Sequence, residues 1–330
     1  MYHLTIFELT LVFLVSLFIS LFWGGSVISL LKKLSAFQFI REDGPNDHIS
    51  RKSNTPTLGG VIFLTPLIII TLFLCLFKKN FQTADLLVVL STTLLMGVLG
   101  FADDYQKIKK KHNKGISGWI KLFIQLLVSL ILFFIYGKNL SFIYLLYIFF
   151  ILAGSSNSYN LTDGLDGLLS SISIVSLLGF AFLFNYIGKF ELVYFSIIYI
   201  GAIAGFLYYN RFPAKVFMGD TGSLAIGGAI GSLAIISKYE LLLIFIAAVP
   251  ILEAVSVILQ VVSCKLSKKF LGVDKRIFKM SPLHHHFELC GWTENKIVTR
   301  FFLFQTVCLL IGITIFVLIK NKNLFSIIRL

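Results

Sequence analysis

Long apolar runs, separated by short polar stretches, dominate the sequence from one end to the other. A helix needs roughly 17–25 predominantly apolar residues to cross a bilayer. Ten runs of at least this length lie at residues 4–31, 57–77, 85–102, 119–136, 140–159, 167–187, 192–209, 221–237, 241–263 and 299–319. The pattern predicts an all-α, polytopic membrane protein with ten transmembrane helices, forming a single integral membrane domain over residues 1–330.

The composition supports this interpretation and narrows the choice of partners. Hydrophobic residues make up 57% of the chain and charged residues only 14%, whereas a soluble domain is about 25% charged. The formal net charge of +13 favours contact with anionic membrane lipids or with a phosphorylated substrate. Nucleic acid is not expected as a partner, because the basic residues lie in short loops between spans. The four cysteines show no metal-binding or redox spacing.

The distribution of lysine and arginine predicts the orientation. Nineteen of the 29 fall in one set of loops and eight on the other side, tails included, when Lys121 and Arg300, which start spans, are left out of both counts. The richer set is expected to be cytoplasmic, and an even number of spans then places both termini on the outer, periplasmic side. The first run has Lys32 and Lys33 after it and no basic residue before it, which is typical of a retained span rather than a signal peptide.

Residues 154–167 form a polar, glycine-containing stretch between two long apolar runs. Carboxylates in such a position are functional by default because they are costly there. If the next helix begins after Thr162, Asp163 and Asp166 share one face, and Asn160 precedes them by the same three-residue step. The alternative, in which Asp163 only caps that helix, leaves the second acid and the asparagine unexplained.

Two further stretches carry acids. Asp103 and Asp104 close the third span before a lysine-rich loop, and Mg²⁺ takes one or two carboxylates together with phosphate oxygens and water. Asp220 precedes a span whose first amides favour a phosphate, and Phe217 could stack on a base. The alternatives are an interfacial acidic pair balanced by lysines and a simple helix cap at Asp220 or Thr221.

Histidines and basic residues complete the candidate chemistry. His284, His285 and His286 lie in loop 264–298, which is expected to contain a short helix; phosphate contact or proton transfer suits them better than zinc, and an exposed triplet is the alternative. Lys52 and Thr57, before the second span, could hold a diphosphate or could belong to an ordinary helix start. The remaining cation, Lys121, is either an anchor at the membrane interface or a phosphate contact.

Five motifs occur in a familiar order. They are Pro56-Thr57-Leu58-Gly59-Gly60, Phe101-Ala102-Asp103-Asp104-Tyr105, Asn160-Leu161-Thr162-Asp163-Gly164-Leu165-Asp166-Gly167, Phe217-Met218-Gly219-Asp220-Thr221-Gly222-Ser223 and Pro282-Leu283-His284-His285-His286-Phe287-Glu288. Over nearly its whole length the chain closely resembles the bacterial phospho-N-acetylmuramoyl-pentapeptide transferase family. The first four motifs are shared with the wider polyprenyl-phosphate N-acetylhexosamine-1-phosphate transferase superfamily, whereas the histidine motif looks specific to the muramoyl branch.

The resemblance implies transfer of phospho-MurNAc-pentapeptide from UDP-MurNAc-pentapeptide to undecaprenyl phosphate, with release of UMP and formation of lipid I. It also implies Mg²⁺ as cofactor, a multi-pass protein of the bacterial inner membrane with its active site facing the cytoplasm, and a possible homodimer. The expected catalytic residues are Asp103, Asp104, Asp220 and His284, with Asp220 and Asp103 as metal ligands. The expected substrate-binding residues are Lys52, Thr57, Lys121, Asn160, Asp163, Asp166, Asn210, Phe217, Gly219, Ser223, His285 and His286.

Three other interpretations fit parts of the pattern. A sibling transferase would use UDP-GlcNAc, but the histidine motif argues against it. A transporter would use the same acids as ion ligands, but the chain shows no internal repeat and its acids gather at one face. A noncatalytic lipid-binding scaffold gives no reason for so many acids beside lysines.

Overall fold

The computed structural model describes residues 5–37, 55–78, 82–137 and 141–321 of the chain. Within these residues there are twelve helices and no strand. The helices are α1 (Ile6–Lys33), α2 (Gly60–Phe77), α3 (Thr83–Lys110), α4 (Gly118–Tyr136), α5 (Phe142–Thr162), α6 (Leu168–Ile187), α7 (Phe190–Asn210), α8 (Gly219–Ser237), α9 (Leu243–Ile246), α10 (Ala248–Leu271), α11 (Leu283–Leu289) and α12 (Glu294–Asn321). Ten of these described helices are long and apolar enough to cross a membrane, which confirms the predicted fold class. Orientation in the membrane stays a prediction.

The predicted ninth span, residues 241–263, is broken near its start. A 3₁₀ turn, Glu240–Leu242, leads into α9, and the chain breaks at Ala247 before α10 begins. Pro250 favours this break, because proline is accepted in the first turn of a helix but not in its interior. The buried Gln305 of α12 satisfies the interrupted backbone: its amide donates to the carbonyls of Phe245 (3.0 Å) and Ile246 (2.8 Å) and accepts from the N–H of Val249 (3.0 Å). Backbone groups without water need such internal partners.

Helix α8 forms the centre of the bundle. Every residue from Thr221 to Ser237 is buried, and α8 packs mainly against α3 and α5. Glycine at position 100 makes the contact with α3 possible, because a Cβ atom there would lie only 2.6 Å from the backbone nitrogen of Thr221. This close approach brings the end of α3, with its two acids, directly beside the first turn of α8.

The loop between α10 and α12 contains the short helix α11, as predicted. Gln260 of α10 anchors the segment that precedes α11. Its side chain accepts hydrogen bonds from the N–H groups of Ile277 and Phe278 (both 3.0 Å) and donates to the Phe278 carbonyl (2.9 Å). The histidine motif is therefore attached to a membrane helix rather than left on a free loop.

Candidate active site

A cavity of about 810 Å³ opens at the end of the bundle where α3 ends and α8 begins. Its walls come from α3, α4, α5 and the segments 113–118, 163–166 and 280–285. Most of the residues predicted to bind substrate or metal line it, namely Thr57, Asp103, Asp104, Lys121, Asn160, Asp163, Asp166, Asn210, Phe217, Gly219, Asp220, His284 and His285. The structure thus gathers residues from motifs that are up to 228 positions apart in the chain.

Three carboxylates form the floor of the cavity. Asp103, Asp104 and Asp220 each offer an oxygen, and these oxygens all lie within 4.8 Å of one another. The side chains of Asp103 and Asp104 are 1% and 3% exposed, whereas that of Asp220 is 14% exposed. Asp220 is therefore the acid that is most accessible from the cavity.

Two lysines neutralise part of this negative charge. The ammonium group of Lys121 lies 3.0 Å from Asp103 and 2.7 Å from Asp220. That of Lys107 lies 2.6 Å from Asp103, 3.2 Å from Asp220 and 3.8 Å from Asp104. Lys121 was among the predicted residues, but Lys107 was not singled out from the lysine-rich segment around it.

The carboxylate of Asp104 caps α8. It accepts hydrogen bonds from the N–H groups of Asp220 (3.1 Å) and Thr221 (2.9 Å) and from the Thr221 hydroxyl (2.7 Å). These amides begin a helix and have no partner within it. The alternative in which Asp220 or Thr221 caps its own helix is therefore wrong, because the capping side chain comes from α3.

The side-chain amide of Asn160 connects α5 to the first turns of α8. Asn160 donates from its side-chain nitrogen to Asp220 Oδ1 (3.0 Å) and to the Ser223 hydroxyl (2.8 Å). Ser223, one turn into α8, is connected to the site through this hydrogen bond from Asn160. Gly219 begins α8 with a positive φ of 73°, and a Cβ atom there would lie 2.7 Å from the Thr57 hydroxyl.

The stretch around Asp163 and Asp166 is a turn between helices. Because α5 ends at Thr162 and α6 begins at Leu168, the prediction that the two acids share a helix face is wrong. Gly167, at a φ of 76°, explains the interruption, since only glycine adopts this conformation readily. Asp163 lines the cavity, and Asp166 accepts a hydrogen bond from the Ala214 N–H (2.9 Å).

Asn210 and Glu294 hold this turn in place. The side-chain oxygen Oδ1 of Asn210 accepts from the Gly167 N–H (3.2 Å) and the Ser170 hydroxyl (2.9 Å), and its side-chain nitrogen donates to the Val216 carbonyl (3.1 Å). Glu294, from α12, accepts from the Asp166 N–H (2.6 Å). Glu294 therefore supports this turn, and it was not among the predicted site residues.

The first two imidazoles of the motif lie together, with the ring centroids of His284 and His285 4.2 Å apart, whereas that of His286 turns away. His284, 1% exposed, and His285 line the cavity, and His285 Nδ1 lies 2.7 Å from Glu288. His286 Nδ1 instead accepts from the Lys279 N–H (3.1 Å), which turns this ring toward its own loop. Lys52 lies outside the described residues.

Segment 113–118 contributes a contact that the sequence did not predict. The Ile116 N–H donates to Asp103 Oδ1 at 2.7 Å. A Cβ atom on the preceding residue, Gly115, would lie 2.5 Å from the Asp103 carboxyl carbon. The only hint in the sequence is a glycine within a short polar connection between two spans.

Fold and site together define a membrane-embedded enzyme, a transferase: residues 86–238 match the glycosyl transferase family 4. Proteins named phospho-N-acetylmuramoyl-pentapeptide-transferase match nearly the whole chain. That of Bacillus subtilis (strain 168) is 40% identical over 94% of this chain and 97% of its own length. Those of Geobacillus sp. (strain WCH70) and Shouchella clausii (strain KSM-K16) are 39% and 42% identical, over 93% and 87% of this chain and 97% and 91% of theirs. The chain belongs to the phospho-N-acetylmuramoyl-pentapeptide transferase family, as the motifs predicted.

Proposed function

We propose that the protein transfers phospho-MurNAc-pentapeptide from UDP-MurNAc-pentapeptide to undecaprenyl phosphate in peptidoglycan synthesis. An oxygen of the lipid phosphate forms a bond to the phosphorus that carries the sugar. The bond from that phosphorus to the bridging oxygen breaks, and UMP leaves with this oxygen. One phosphoanhydride replaces another, so the exchange requires no external energy source. The observation that carries the proposal is the cluster of three carboxylates and two lysines in the cavity of a chain of this family.

The donor set suits Mg²⁺, which prefers carboxylate oxygens and completes its octahedron with phosphate oxygens and water. Asp220 is a proposed ligand because its side chain is the most exposed of the three acids, and Asp103 is the second because Asp104 is committed to the backbone N–H groups of α8 through both of its oxygens. Bound Mg²⁺ supplies positive charge that screens the diphosphate. Asp104 serves the site by fixing the position of Asp220.

The two lysines are proposed to neutralise phosphate charge. A phosphate monoester has a second pKa of about 6, so the lipid phosphate is mostly dianionic at neutral pH. A general base is then less important than positioning and charge neutralisation, which dominate enzymatic phosphoryl transfer. The ammonium groups of Lys107 and Lys121 already lie in the cavity where the phosphates must approach one another.

The remaining polar wall is proposed to hold the nucleotide. Asn160, Asp163 and Phe217 line the cavity, and an amide, a carboxylate and an aromatic ring are a set that suits a ribose and a base. Asn210 and Asp166 shape this wall through their backbone contacts. The excess of lysine and arginine in the loops on this side supports a cytoplasmic site in the inner membrane.

Release of UMP from purified protein in lipid, with Mg²⁺ and undecaprenyl phosphate, tests the proposal. UDP-MurNAc-pentapeptide and UDP-GlcNAc are offered separately, and EDTA is added in a third arm. We expect release only with the first substrate and loss of release with EDTA that excess Mg²⁺ restores. Release only with UDP-GlcNAc would assign the chain to a sibling reaction, and release with neither from folded protein would exclude the transferase proposal.

Gly115→Ala is expected to lower kcat by about 10²-fold, because a displacement of about 1 Å at a reacting group has this effect. The new methyl group must push the Asp103 carboxylate away from its present position. Gly154→Ala is the matched control, since a Cβ atom at this exposed position of α5 meets nothing within 4 Å. Steady-state UMP release from both variants decides the prediction; equal rates would show that Asp103 tolerates the shift.

A further inference from the structure

A buried carboxylate of α10 contacts the histidine motif. Glu253 is 0% exposed, and its Oε1 accepts a hydrogen bond from the backbone N–H of His284 (3.3 Å) and lies 3.1 Å from His284 Nδ1. His284 is itself 1% exposed. Within the described chain, neither Glu253 Oε2 nor His284 Nε2 has a hydrogen-bond partner. One oxygen therefore fixes both the first turn of α11 and the imidazole.

The chemistry of this contact fixes which ring nitrogen carries hydrogen. Glu253 Oε1 accepts the backbone N–H of His284 and meets Nδ1 as an acceptor too, so Nδ1 of His284 donates. A neutral ring held in this way presents the lone pair of Nε2, and the orientation of a histidine is set by the partner of its other nitrogen. Leaving a buried carboxylate without this donor is costly, which opposes any rotation of the ring.

The free edge of the ring meets the turn after α5. A Cβ atom on Gly164 would meet His284 Nε2 first and would lie 2.7 Å from Cε1 and 2.9 Å from Cδ2, so Nε2 faces the Gly164 backbone and the glycine leaves just enough room for the imidazole. Gly164 and His284 both line the cavity. The ring is thus held between the carboxylate of α10 on one side and the proposed nucleotide wall on the other.

We propose that Glu253 is a positioning residue that fixes the tautomer and orientation of His284 for the reaction in the cavity. This inference rests on the proposed transferase function. Glu253 acts only through His284, since it is separated from the cavity by the ring. The loop has a separate attachment, because Gln260 holds residues 277 and 278 two turns further along α10, so loss of the carboxylate leaves the segment anchored.

The variant Glu253→Gln tests whether Glu253 positions His284 or only fills space in the fold. The amide has the same shape but can donate to Nδ1 as well as accept from it, so both tautomers become available. An isosteric amide that selects the wrong histidine tautomer is strongly inhibitory in serine proteases. We expect kcat for UMP release to fall by about 10- to 100-fold, the range for loss of a group that orients a functional histidine, while KM for the nucleotide substrate stays within about threefold of wild type.

Glu191→Gln is the matched control, because Glu191 is also a buried glutamate, 7% exposed, in the first turn of α7. It lies 19 residues before Asn210 on α7, about 28 Å from the cavity along the helix axis. This variant is expected to keep the wild-type kcat. Glu253→Asp, which retains an acceptor-only carboxylate, is the conservative variant and is expected to lose less kcat than Glu253→Gln.

Two readouts decide the proposal. In protein labelled with ¹⁵N-histidine, the signal that is lost in His284→Gln reports the His284 tautomer, and we expect Nδ1–H in wild type and a mixture in Glu253→Gln. In the double variant Glu253→Gln/His284→Gln we expect no kcat loss beyond that of His284→Gln alone, because residues acting as a unit are non-additive. The proposal would be overturned if Glu253→Gln left the His284 tautomer unchanged. It would also be overturned if Glu253→Gln lowered kcat as much in the His284→Gln background as in wild type. The NMR measurement needs no substrate, so it distinguishes this failure from failure of the transferase proposal.

Discussion

Replacement of Asp220 by asparagine is expected to lower kcat for UMP release by about 10³-fold or more, the scale on which one charge-handling group counts in phosphoryl transfer. Asp220 is the most accessible of the three acids and contacts both lysines, Lys107 at 3.2 Å and Lys121 at 2.7 Å. The amide keeps the shape of the side chain but removes the negative charge that would hold Mg²⁺. Initial rates of UMP release over a series of Mg²⁺ concentrations measure the effect.

Asp85→Asn provides the control for the loss of a carboxylate in a membrane helix. Asp85 pairs with Lys189 (2.6 Å) and accepts a hydrogen bond from the Tyr136 hydroxyl (2.6 Å). It lies 18 residues before Asp103 on α3, about 27 Å away along the helix axis. We expect this variant to keep the wild-type kcat at saturating Mg²⁺. If Asp220→Asn retained more than a tenth of the wild-type kcat, Asp220 would not be a metal ligand.

The apolar pattern predicted the ten spans because a bilayer selects for length and hydrophobicity, both of which are local properties. It did not predict their ends. Helix α3 continues eight residues beyond the predicted end at residue 102, since lysine and glutamine are good helix formers that can leave the membrane without breaking the helix. The break at Ala247 depends on Gln305, and a partner 58 residues away cannot be read from local periodicity.

In the candidate site, too, the sequence predicted local features but not contacts between distant segments. Motifs with several unusual polar residues in one apolar chain identified the acids, because such residues are costly in a membrane. Pairings across the fold, such as Asp104 with Thr221 or Glu253 with His284, depend on how the helices pack, and the sequence alone does not contain that information. Glu253 reads in the sequence as a single acid inside an apolar run, and only its contact with His284 gives it a role.

Lys107 was not predicted as a site residue, although the spacing of neighbours on a helix would have identified it. It follows Asp103 by four positions and Asp104 by three, and residues so spaced are neighbours on a helix. The predicted end of the third span at residue 102 placed Lys107 in a loop, where this rule does not apply. Once α3 is extended to Lys110, the spacing alone selects Lys107 from the lysines around it.

Lys107→Met is therefore expected to lower kcat for UMP release by about 10²-fold, the effect of removing one preorganised charge-stabilising group. Methionine retains most of the apolar stem and removes only the ammonium group, which contacts all three acids. Lys109→Met on the same helix is the matched control, because Lys109 is exposed, and it is expected to keep the wild-type kcat. Parallel kinetics of the two variants measure the difference.

Thermal unfolding tests the same assignment without substrate. In Lys107→Met the three carboxylates share one ammonium group, that of Lys121, so the cluster carries one more uncompensated negative charge. A cation that binds only the folded state stabilises it in proportion to its affinity, and Mg²⁺ is therefore expected to raise the unfolding temperature more in Lys107→Met than in wild type or Lys109→Met. An equal Mg²⁺ shift in all three proteins would mean that Lys107 and the metal do not share these carboxylates, and the lysine would then act on the phosphates alone.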